Sequence, residues 1–257
     1  MDRLTRLLCL AACAAVWIPS MGHAADGESR TYAILSLIGD KISVVGHEST
    51  TGSNKDQNRH DTMTLSDRVL DNTAVVAVDN AIKRLDARAT TVSLASSDPK
   101  LYELQDKLFE PQEQSLALLE SVKIMLQNQN ATHLVLITKH RSDAKLRLAH
   151  EYRGSGKIEG VGFYLDATLP TRRSDTYARG AGFLAPFAYI KVMLVDANTM
   201  AIIRERNTDE STTLSTARAE GSLRPVDVLT GAQKVAVLQE MIAKAITRAM
   251  PDLLGAR

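Results

Sequence analysis

Both cysteines of this chain, Cys9 and Cys13, lie in an apolar N-terminal segment, and the rest of the sequence contains none. The segment begins with two arginines, continues with an apolar run, and ends with the small residues of Gly22-His23-Ala24. This order is typical of a secretory signal cleaved at that point, so we predict a signal peptide at residues 1–24. The exported remainder, residues 25–257, has no cysteine for a disulfide, a nucleophile or a metal ligand. Its fold must therefore depend on a hydrophobic core.

A second interpretation of the same segment stays open. Leu10-Ala11-Ala12-Cys13 has the form of a lipoprotein cleavage box, which would leave a lipid on Cys13. The chain remains apolar through Ile18, whereas lipoproteins usually become polar just after the cysteine. The apolar run is roughly 12 residues long, and a membrane-spanning helix needs about 20. We predict export to the periplasm and no transmembrane segment in the mature chain, with lipidation as the alternative.

The charges of the chain nearly cancel, with 31 Lys and Arg against 30 Asp and Glu and a formal net charge of +1 at pH 7. The basic residues are spread along the sequence, and a nucleic-acid-binding surface needs a basic patch. We therefore predict no nucleic-acid partner. The roughly 230 residues after the predicted signal are enough for one domain with its own core.

The hydrophobic pattern of the exported part alternates between two periods. Strand-like runs of apolar and β-branched residues are separated by segments whose apolar residues recur at helical spacing. This order predicts an α/β (α+β) domain whose mixed sheet contains one antiparallel hairpin and is packed by amphipathic helices. The predicted strands cover residues 31–46 with a turn at Gly39-Asp40, 91–95, 133–138, 146–150, and the hairpin 187–196 and 201–206. The predicted helices cover residues 65–87, a segment opened by Pro111 with Leu116, Leu119, Val122 and Leu126 on one face, and a terminal segment capped by Thr230 and Gln233 that ends at Pro251.

Residues 154–186 form the most unusual part of the sequence, a long stretch in which glycines alternate with aromatic and basic residues. A long excursion between two strands is uncommon unless it is functional or disordered. One interpretation is a partner-binding surface with aromatic anchors and with arginines for an acidic partner or a lipid headgroup. The other is a loop that packs its own aromatics against the domain. The candidate contact residues are Phe163, Tyr164, Arg172, Arg173, Tyr177, Arg179 and Phe183.

Two further segments invite a catalytic or metal-binding interpretation. Gly39-Asp40-Lys41 has a lysine where a lipase-like serine esterase has its nucleophile, so we interpret it as a turn. The segment 47–61 gathers imidazole and carboxylate groups, but their spacing matches no metal template. We predict no catalytic residue, no metal and no cofactor. The side chains concerned in that segment are His47, Glu48, Asp56, His60 and Asp61.

The order of elements resembles a known group of envelope proteins. An apolar strand follows the signal, and Ala131-Thr132-His133-Leu134-Val135-Leu136-Ile137 follows a helix. The hairpin turn at Asp196-Ala197-Asn198-Thr199 leads into a second strand and then a terminal amphipathic helix. This resembles the small α/β domain shared by the N-terminal part of the Tol translocation protein TolB and the curli secretion protein CsgG. The resemblance implies a non-catalytic module that docks other envelope components, and the sequence departs from it in residues 154–186.

The sequence therefore favours an exported binding or assembly module of the bacterial cell envelope, whose partners are envelope proteins. Its oligomeric state stays open. The alternative is a periplasmic hydrolase of unrecognised type, or a metal or small-ligand carrier, that uses the 47–61 segment.

Overall fold

A computed structural model describes residues 30–48, 58–148, 151–172, 175–218 and 224–255 of the chain. The predicted signal peptide, Asp56 and Arg173 lie outside the described residues. No helix in the described part of the chain is long and apolar enough to cross a membrane.

The described residues form a mixed sheet with helices, which confirms the predicted α/β (α+β) class. The strands are β1 (Thr31–Ser36), β2 (Lys41–Gly46), β3 (Arg59–Thr64), β4 (Thr90–Leu94), β5 (His133–Lys139), β6 (Arg141–Asp143), β7 (Leu146–Arg147), β8 (Tyr152–Arg153), β9 (Lys157–Arg172), β10 (Arg179–Asp196), β11 (Ile202–Ser211) and β12 (Leu214–Ser215). The helices are α1 (Val69–Leu85), α2 (Pro99–Glu103), α3 (Glu113–Gln127) and α4 (Gly231–Leu254). Short 3₁₀ turns lie at Thr216–Arg218 and Pro225–Val228.

The long strand β10 joins two halves of the main sheet, whose order is β3-β2-β9-β10-β5-β1-β4. β9 and β5 pair with successive parts of β10, since Tyr189 lies opposite Gly160 and the next residue, Ile190, lies opposite Lys139. β5, β1 and β4 are parallel to one another. β11 pairs antiparallel with β10 and forms the predicted C-terminal hairpin.

Helices cover both faces of the parallel half because apolar side chains point to both sides of its central strands. In β5, Val135 and Ile137 pack in the cluster that contains α1 and α4. Leu134 and Leu136 pack in the cluster that contains α2 and α3. Successive side chains of a strand point to opposite faces, so an unbroken apolar run is the pattern of a strand buried on both sides.

The terminal helix begins as the sequence predicts and ends later. The Thr230 hydroxyl accepts from the backbone N–H of Gln233 at 3.4 Å, and the Gln233 side chain accepts from the Thr230 N–H at 2.9 Å. The helix continues past Pro251 to Leu254, because a proline in the last turn removes only one intrahelical hydrogen bond. Gly255, with φ 71°, ends it in the left-handed region.

The turn predicted at Gly39-Asp40 could join a hairpin or form a bulge, and the structure shows that the two strands it connects do not pair. β1 pairs with β4 and β5, whereas β2 pairs with β3 and β9. The connection therefore carries the chain from the parallel half of the sheet to the other half. The sequence pattern could not distinguish these outcomes, because two consecutive apolar strands look the same whether or not they pair.

The excursion predicted at 154–186 is wrong as a loop, since most of it forms β9 and the first part of β10. Its glycines serve close packing within the sheet. A Cβ on Gly162 would lie 1.9 Å from the carbonyl oxygen of Ser43 on β2, so only glycine fits there. Glycine content, which suggested irregular structure, here reflects the close approach of two backbones.

Three smaller details also differ from prediction. The first helix begins at Val69 rather than near Leu65. The predicted strand 146–150 forms β7 at Leu146–Arg147, and its residues 149–150 lie outside the described part of the chain. In α3, Leu118 rather than Leu116 joins Val122 and Leu126 in the buried face, and Leu116 is 59% exposed. The same helix contains a second set of apolar residues at helical spacing, which includes Leu118. Packing against the sheet decides which of the two sets is buried.

Candidate functional site

Three of the four aromatic residues in the predicted contact surface are buried. Phe163 is 4% exposed, Tyr164 is fully buried and Phe183 is 1% exposed. Phe163 packs in the α1 and α4 core, whereas the rings of Tyr164 and Phe183 stack on the other side with centroids 6.3 Å apart. These three residues stabilise the β9–β10 half of the sheet and are not available as anchors for a partner, which corrects the prediction for them.

The exposed candidate residues Arg172, Tyr177 and Arg179 lie at the tip of the β9–β10 hairpin. We call these three residues the hairpin tip. Arg172 and Arg179 lie opposite each other in the terminal pair of the ladder. Tyr177 is 64% exposed, and the guanidinium carbon of Arg172 lies 4.7 Å from the centre of its ring. Arg172 also donates from Nε to the backbone oxygen of Tyr177 at 3.3 Å. Among the described residues, the guanidinium of Arg179 has no hydrogen-bond or ion-pair partner.

The 47–61 segment holds a polar cluster at its first end. The Nδ1 atom of His47 lies 3.0 Å from the hydroxyl of Ser155 and 3.2 Å from the hydroxyl of Tyr164. The Tyr164 hydroxyl also accepts from the backbone N–H of Ser155 at 3.1 Å, and Asn58 donates to the Ser155 carbonyl oxygen at 2.6 Å. Each polar group here satisfies another, so the cluster ties the β8–β9 connection to β2.

The same cluster lacks the third member of a catalytic triad. In the described residues, no carboxylate contacts His47, and a histidine base needs such a group to hold its tautomer and orientation. Asp61 instead forms an ion pair with Arg59 at 2.9 Å on the exposed edge strand β3. Within the described ranges, no group of three or more metal-ligating side chains is present.

A crevice opens at the carboxyl ends of the parallel strands β5, β1 and β4. After β1 the chain passes through β2 and β3 and then returns through α1 on one face of the sheet, whereas after β4 it passes into α2 and α3 on the other face. This divergence of connections leaves a cleft at a sheet edge, the usual ligand position in open α/β sheets. The cavity has a volume of about 500 Å³. It is lined by Gly39, Asp40, Lys41, Arg68, Asp71, Ser97, Pro99, Tyr102, Glu103, Gln105, Asp106, Lys139 and Glu159.

Asp71, in the first turn of α1, is the polar centre of the crevice and is only 6% exposed. Its carboxylate accepts from the Ser36 hydroxyl at 2.6 Å and from the Gly39 N–H at 3.1 Å. The Tyr102 hydroxyl lies 3.3 Å from its second oxygen. Burial raises the pKa of Asp71, and these hydrogen bonds offset part of that rise. The carboxylate thereby joins the end of β1 to α1 and α2.

Tyr102 and Gln105 extend this network to the other two strands. The Tyr102 hydroxyl also lies 3.1 Å from the Ser96 carbonyl oxygen after β4, and burial with the nearby charge of Asp71 raises the pKa of Tyr102 to about 12. The phenol therefore stays protonated and able to donate. Gln105, 5% exposed, accepts from the Lys139 N–H at 2.7 Å and donates to the Tyr102 carbonyl oxygen at 2.6 Å. The ends of β4 and β5 are thus fixed to α2.

The crevice also contains charges without partners. The side chains of Lys41, Arg68 and Lys139, here the three crevice cations, come from β2, the start of α1 and the end of β5. In the described part of the chain, none of them forms an ion pair or side-chain hydrogen bond. Burial lowers the pKa of Lys139, and the negative charge of Glu159 offsets part of that change. Glu103 and Asp106, on the α2 side, are likewise unpaired among the described residues.

The sequence does not predict this crevice. As a motif, Gly39-Asp40-Lys41 indicates only a turn, and no motif points to Asp71, Tyr102, Gln105 or Lys139. One signal was present, because polar residues follow the apolar runs of β1, β4 and β5 at their carboxyl ends. The use of that signal requires the knowledge that the three strands are parallel neighbours.

No protein-family model matches the chain, and a search of curated proteins found no significant match. Several solved structures align with most of the chain at low identity and low TM-score. A dodecameric PelC variant from Paraburkholderia phytofirmans is 9% identical, with 89% of this chain and 90% of that chain covered and a TM-score of 0.31. A neuraminyllactose-binding hemagglutinin homologue described from Helicobacter pylori is 7% identical, with 86% and 81% covered and a TM-score of 0.35. A protein of Xanthomonas campestris is 8% identical, with 86% and 80% covered and a TM-score of 0.34. At these identities and scores the similarity carries no inference about function.

Proposed function

We propose that the chain is an exported, non-catalytic binding module of the bacterial cell envelope that docks an acidic envelope protein through the hairpin tip. The observation that carries the proposal is the exposed Tyr177 ring with Arg172 stacked on it and Arg179 beside it. Tyrosine and arginine are the residue types most often found as anchors in protein interfaces. The signal peptide predicted at residues 1–24 and the resemblance in element order to the TolB and CsgG domain support the envelope location.

The charges of the hairpin tip favour an acidic partner. The guanidinium of Arg179, which has no partner among the described residues, offers a planar donor fork that a carboxylate accepts with two hydrogen bonds. Arg172 donates a hydrogen bond to the backbone oxygen of Tyr177, and this bond holds the Tyr177 ring in place before a partner binds. A side chain that is already ordered loses less entropy on binding, so this arrangement suits a docking anchor.

In-cell photo-crosslinking tests the proposal. A photoreactive amino acid replaces Tyr177, and the adducts are identified by mass spectrometry. The matched control places the same residue at Tyr152, which is 68% exposed in the separate hairpin of β7 and β8. We expect one identified envelope protein at position 177, absent at 152 and lost in an Arg172→Glu, Arg179→Glu double variant.

The alternative results are also informative. Labelling of lipid rather than protein at position 177 would replace the acidic protein with a membrane headgroup as the occupant. Equal adducts at positions 177 and 152, or an adduct that survives the double charge reversal, would contradict docking through the hairpin tip.

A further inference from the structure

We propose that the crevice binds a small zwitterion that carries a phosphate group and an ammonium group. The phosphate faces the three crevice cations, Lys41, Arg68 and Lys139. The ammonium faces Glu103 and Asp106 on the α2 side. This inference concerns residues other than those of the hairpin tip and does not depend on the docking proposal.

The unpaired cations are the first ground for the proposal. Three cationic side chains from three separate elements line one cavity, and none of them has an ion-pair partner among the described residues. A phosphate monoester carries nearly two negative charges and a phosphodiester carries one, and either can accept hydrogen bonds from several cationic donors at once. The aliphatic stem of Lys139 packs over Gly160, where an added Cβ would lie 3.0 Å from it. That packing orders the lysine near the cavity.

The backbone at the start of α1 is the second ground. Asp67 and Arg68 both have positive φ values, 65° and 49°, and neither is glycine. Two successive left-handed residues are strained, and such strain persists mainly where function requires it. Arg68 occupies the N-cap position without making a side-chain cap, so its guanidinium contributes nothing to starting the helix. Its side chain lines the crevice instead.

The carboxylates of Glu103 and Asp106 in the crevice disfavour a ligand that is purely anionic. Glu103 and Asp106 lie on the segment that follows β4, whereas the three cations, together with Asp40 and Glu159, come from other elements. A ligand with negative charge alone would leave these two carboxylates unpaired and would be repelled by them. An ammonium group on the same ligand pairs with them. The cavity volume of about 500 Å³ fits a small organic molecule rather than an inorganic ion.

Calorimetric titration of the full chain with three probes tests the proposal. The probes are O-phosphoethanolamine, inorganic phosphate as its anionic part and ethanolamine as its cationic part. We expect phosphoethanolamine to bind at least tenfold more tightly than either part. Lys139→Met should weaken its binding at least tenfold, because methionine keeps the stem and removes the charge. Lys191→Met is the matched control, since Lys191 is also a half-buried strand lysine and pairs with Glu205 on β11.

Arg68→Asn separates binding from folding. Asparagine tolerates positive φ and caps helices well, so the variant should raise the melting temperature while it weakens phosphoethanolamine binding several-fold. A Glu103→Gln, Asp106→Asn double variant should remove the advantage of phosphoethanolamine over inorganic phosphate. The proposal is overturned if binding is unchanged in Lys139→Met and Arg68→Asn. It is also overturned if phosphoethanolamine does not bind, unless the protein binds the lipid vesicles described next.

The lipid arm distinguishes a membrane headgroup from a free molecule. Flotation with vesicles that contain phosphatidylethanolamine is compared with flotation with phosphatidylglycerol vesicles, which lack the ammonium group. Binding to the first that is lost in Lys139→Met assigns a lipid headgroup as the source. Binding of phosphoethanolamine in solution without vesicle binding assigns a free zwitterion. Failure of both arms leaves the crevice with no phosphate ligand and contradicts the inference.

Discussion

The crevice and the β9–β10 half of the molecule use polar and aromatic side chains in opposite ways. In the crevice, Asp71 is buried and accepts hydrogen bonds from groups on two neighbouring elements, so a buried carboxyl group ties these elements together. In the β9–β10 half, aromatic rings fill the core, while charged Arg172 and Arg179 lie at the exposed end. Changes in the crevice should therefore affect both stability and binding. Changes at the hairpin tip should affect binding alone.

The largest expected effect is that of Asp71→Ala. The substitution leaves the Ser36 hydroxyl and the Gly39 N–H without their acceptor in a buried place, and it opens a small cavity. Because each unsatisfied buried group costs about 1–3 kcal/mol, we expect the free energy of unfolding to fall by about 3 kcal/mol. Urea unfolding followed by circular dichroism measures it. A loss below about 1 kcal/mol would show that the carboxylate is not a structural centre.

A smaller effect is expected for Tyr164→Phe, which separates ring packing from hydrogen bonding in the β9–β10 half. The ring stays in the core, but the Ser155 N–H and His47 lose the hydroxyl they contact. Ser155 and His47 lie near solvent, so water can replace the lost partner. We expect a loss of about 1 kcal/mol in the same urea assay. A loss as large as that of Asp71→Ala would contradict the contrast between the two regions.

The pH dependence of the stability of Asp71→Asn tests the effect of burial on the Asp71 carboxyl group. Burial raises the pKa of Asp71 above 3.8, so the folded state binds more protons than the unfolded state in the pH range just above that value. Wild-type stability therefore decreases as pH rises through this range, and the variant lacks this contribution. We expect the stability of Asp71→Asn relative to wild type to increase as pH rises from about 4 to about 7. Urea titrations at several pH values measure it, and a relative stability that falls with pH would contradict the raised pKa.

The smallest effect on stability is expected for Tyr177→Ala at the hairpin tip. The ring is 64% exposed and contacts Arg172 through a cation–π interaction at the surface. Exposed interactions of this kind contribute about 0.5 kcal/mol. We expect the melting temperature to change little while the crosslinked adduct described above is lost. A strong destabilisation would mean that the hairpin tip belongs to the core.

The C-terminal helix and the central strands were predictable because their signals are local. The capping box at Thr230 and Gln233 and the apolar run of β5 each specify an element within a few residues, and the structure has both. The aromatic and glycine-rich segment 154–186 was harder to interpret. Its aromatics look alike as anchors or as core, and only pairing of β9 with β2 and β10 buries Phe163, Tyr164 and Phe183.

The α/β class, the three longer helices, the strands β1, β2, β4 and β5, and the absence of cysteine after the predicted signal can all be read from the sequence alone. They follow from composition and from hydrophobic periods, which need no knowledge of distant neighbours. The position of β1 between β4 and β5 and the contacts of Asp71 with Ser36, Tyr102 and Gly39 depend instead on tertiary packing. Strand pairing between residues far apart in the chain is set by the packing of all elements together. A site built at the ends of such strands is therefore absent from any local pattern.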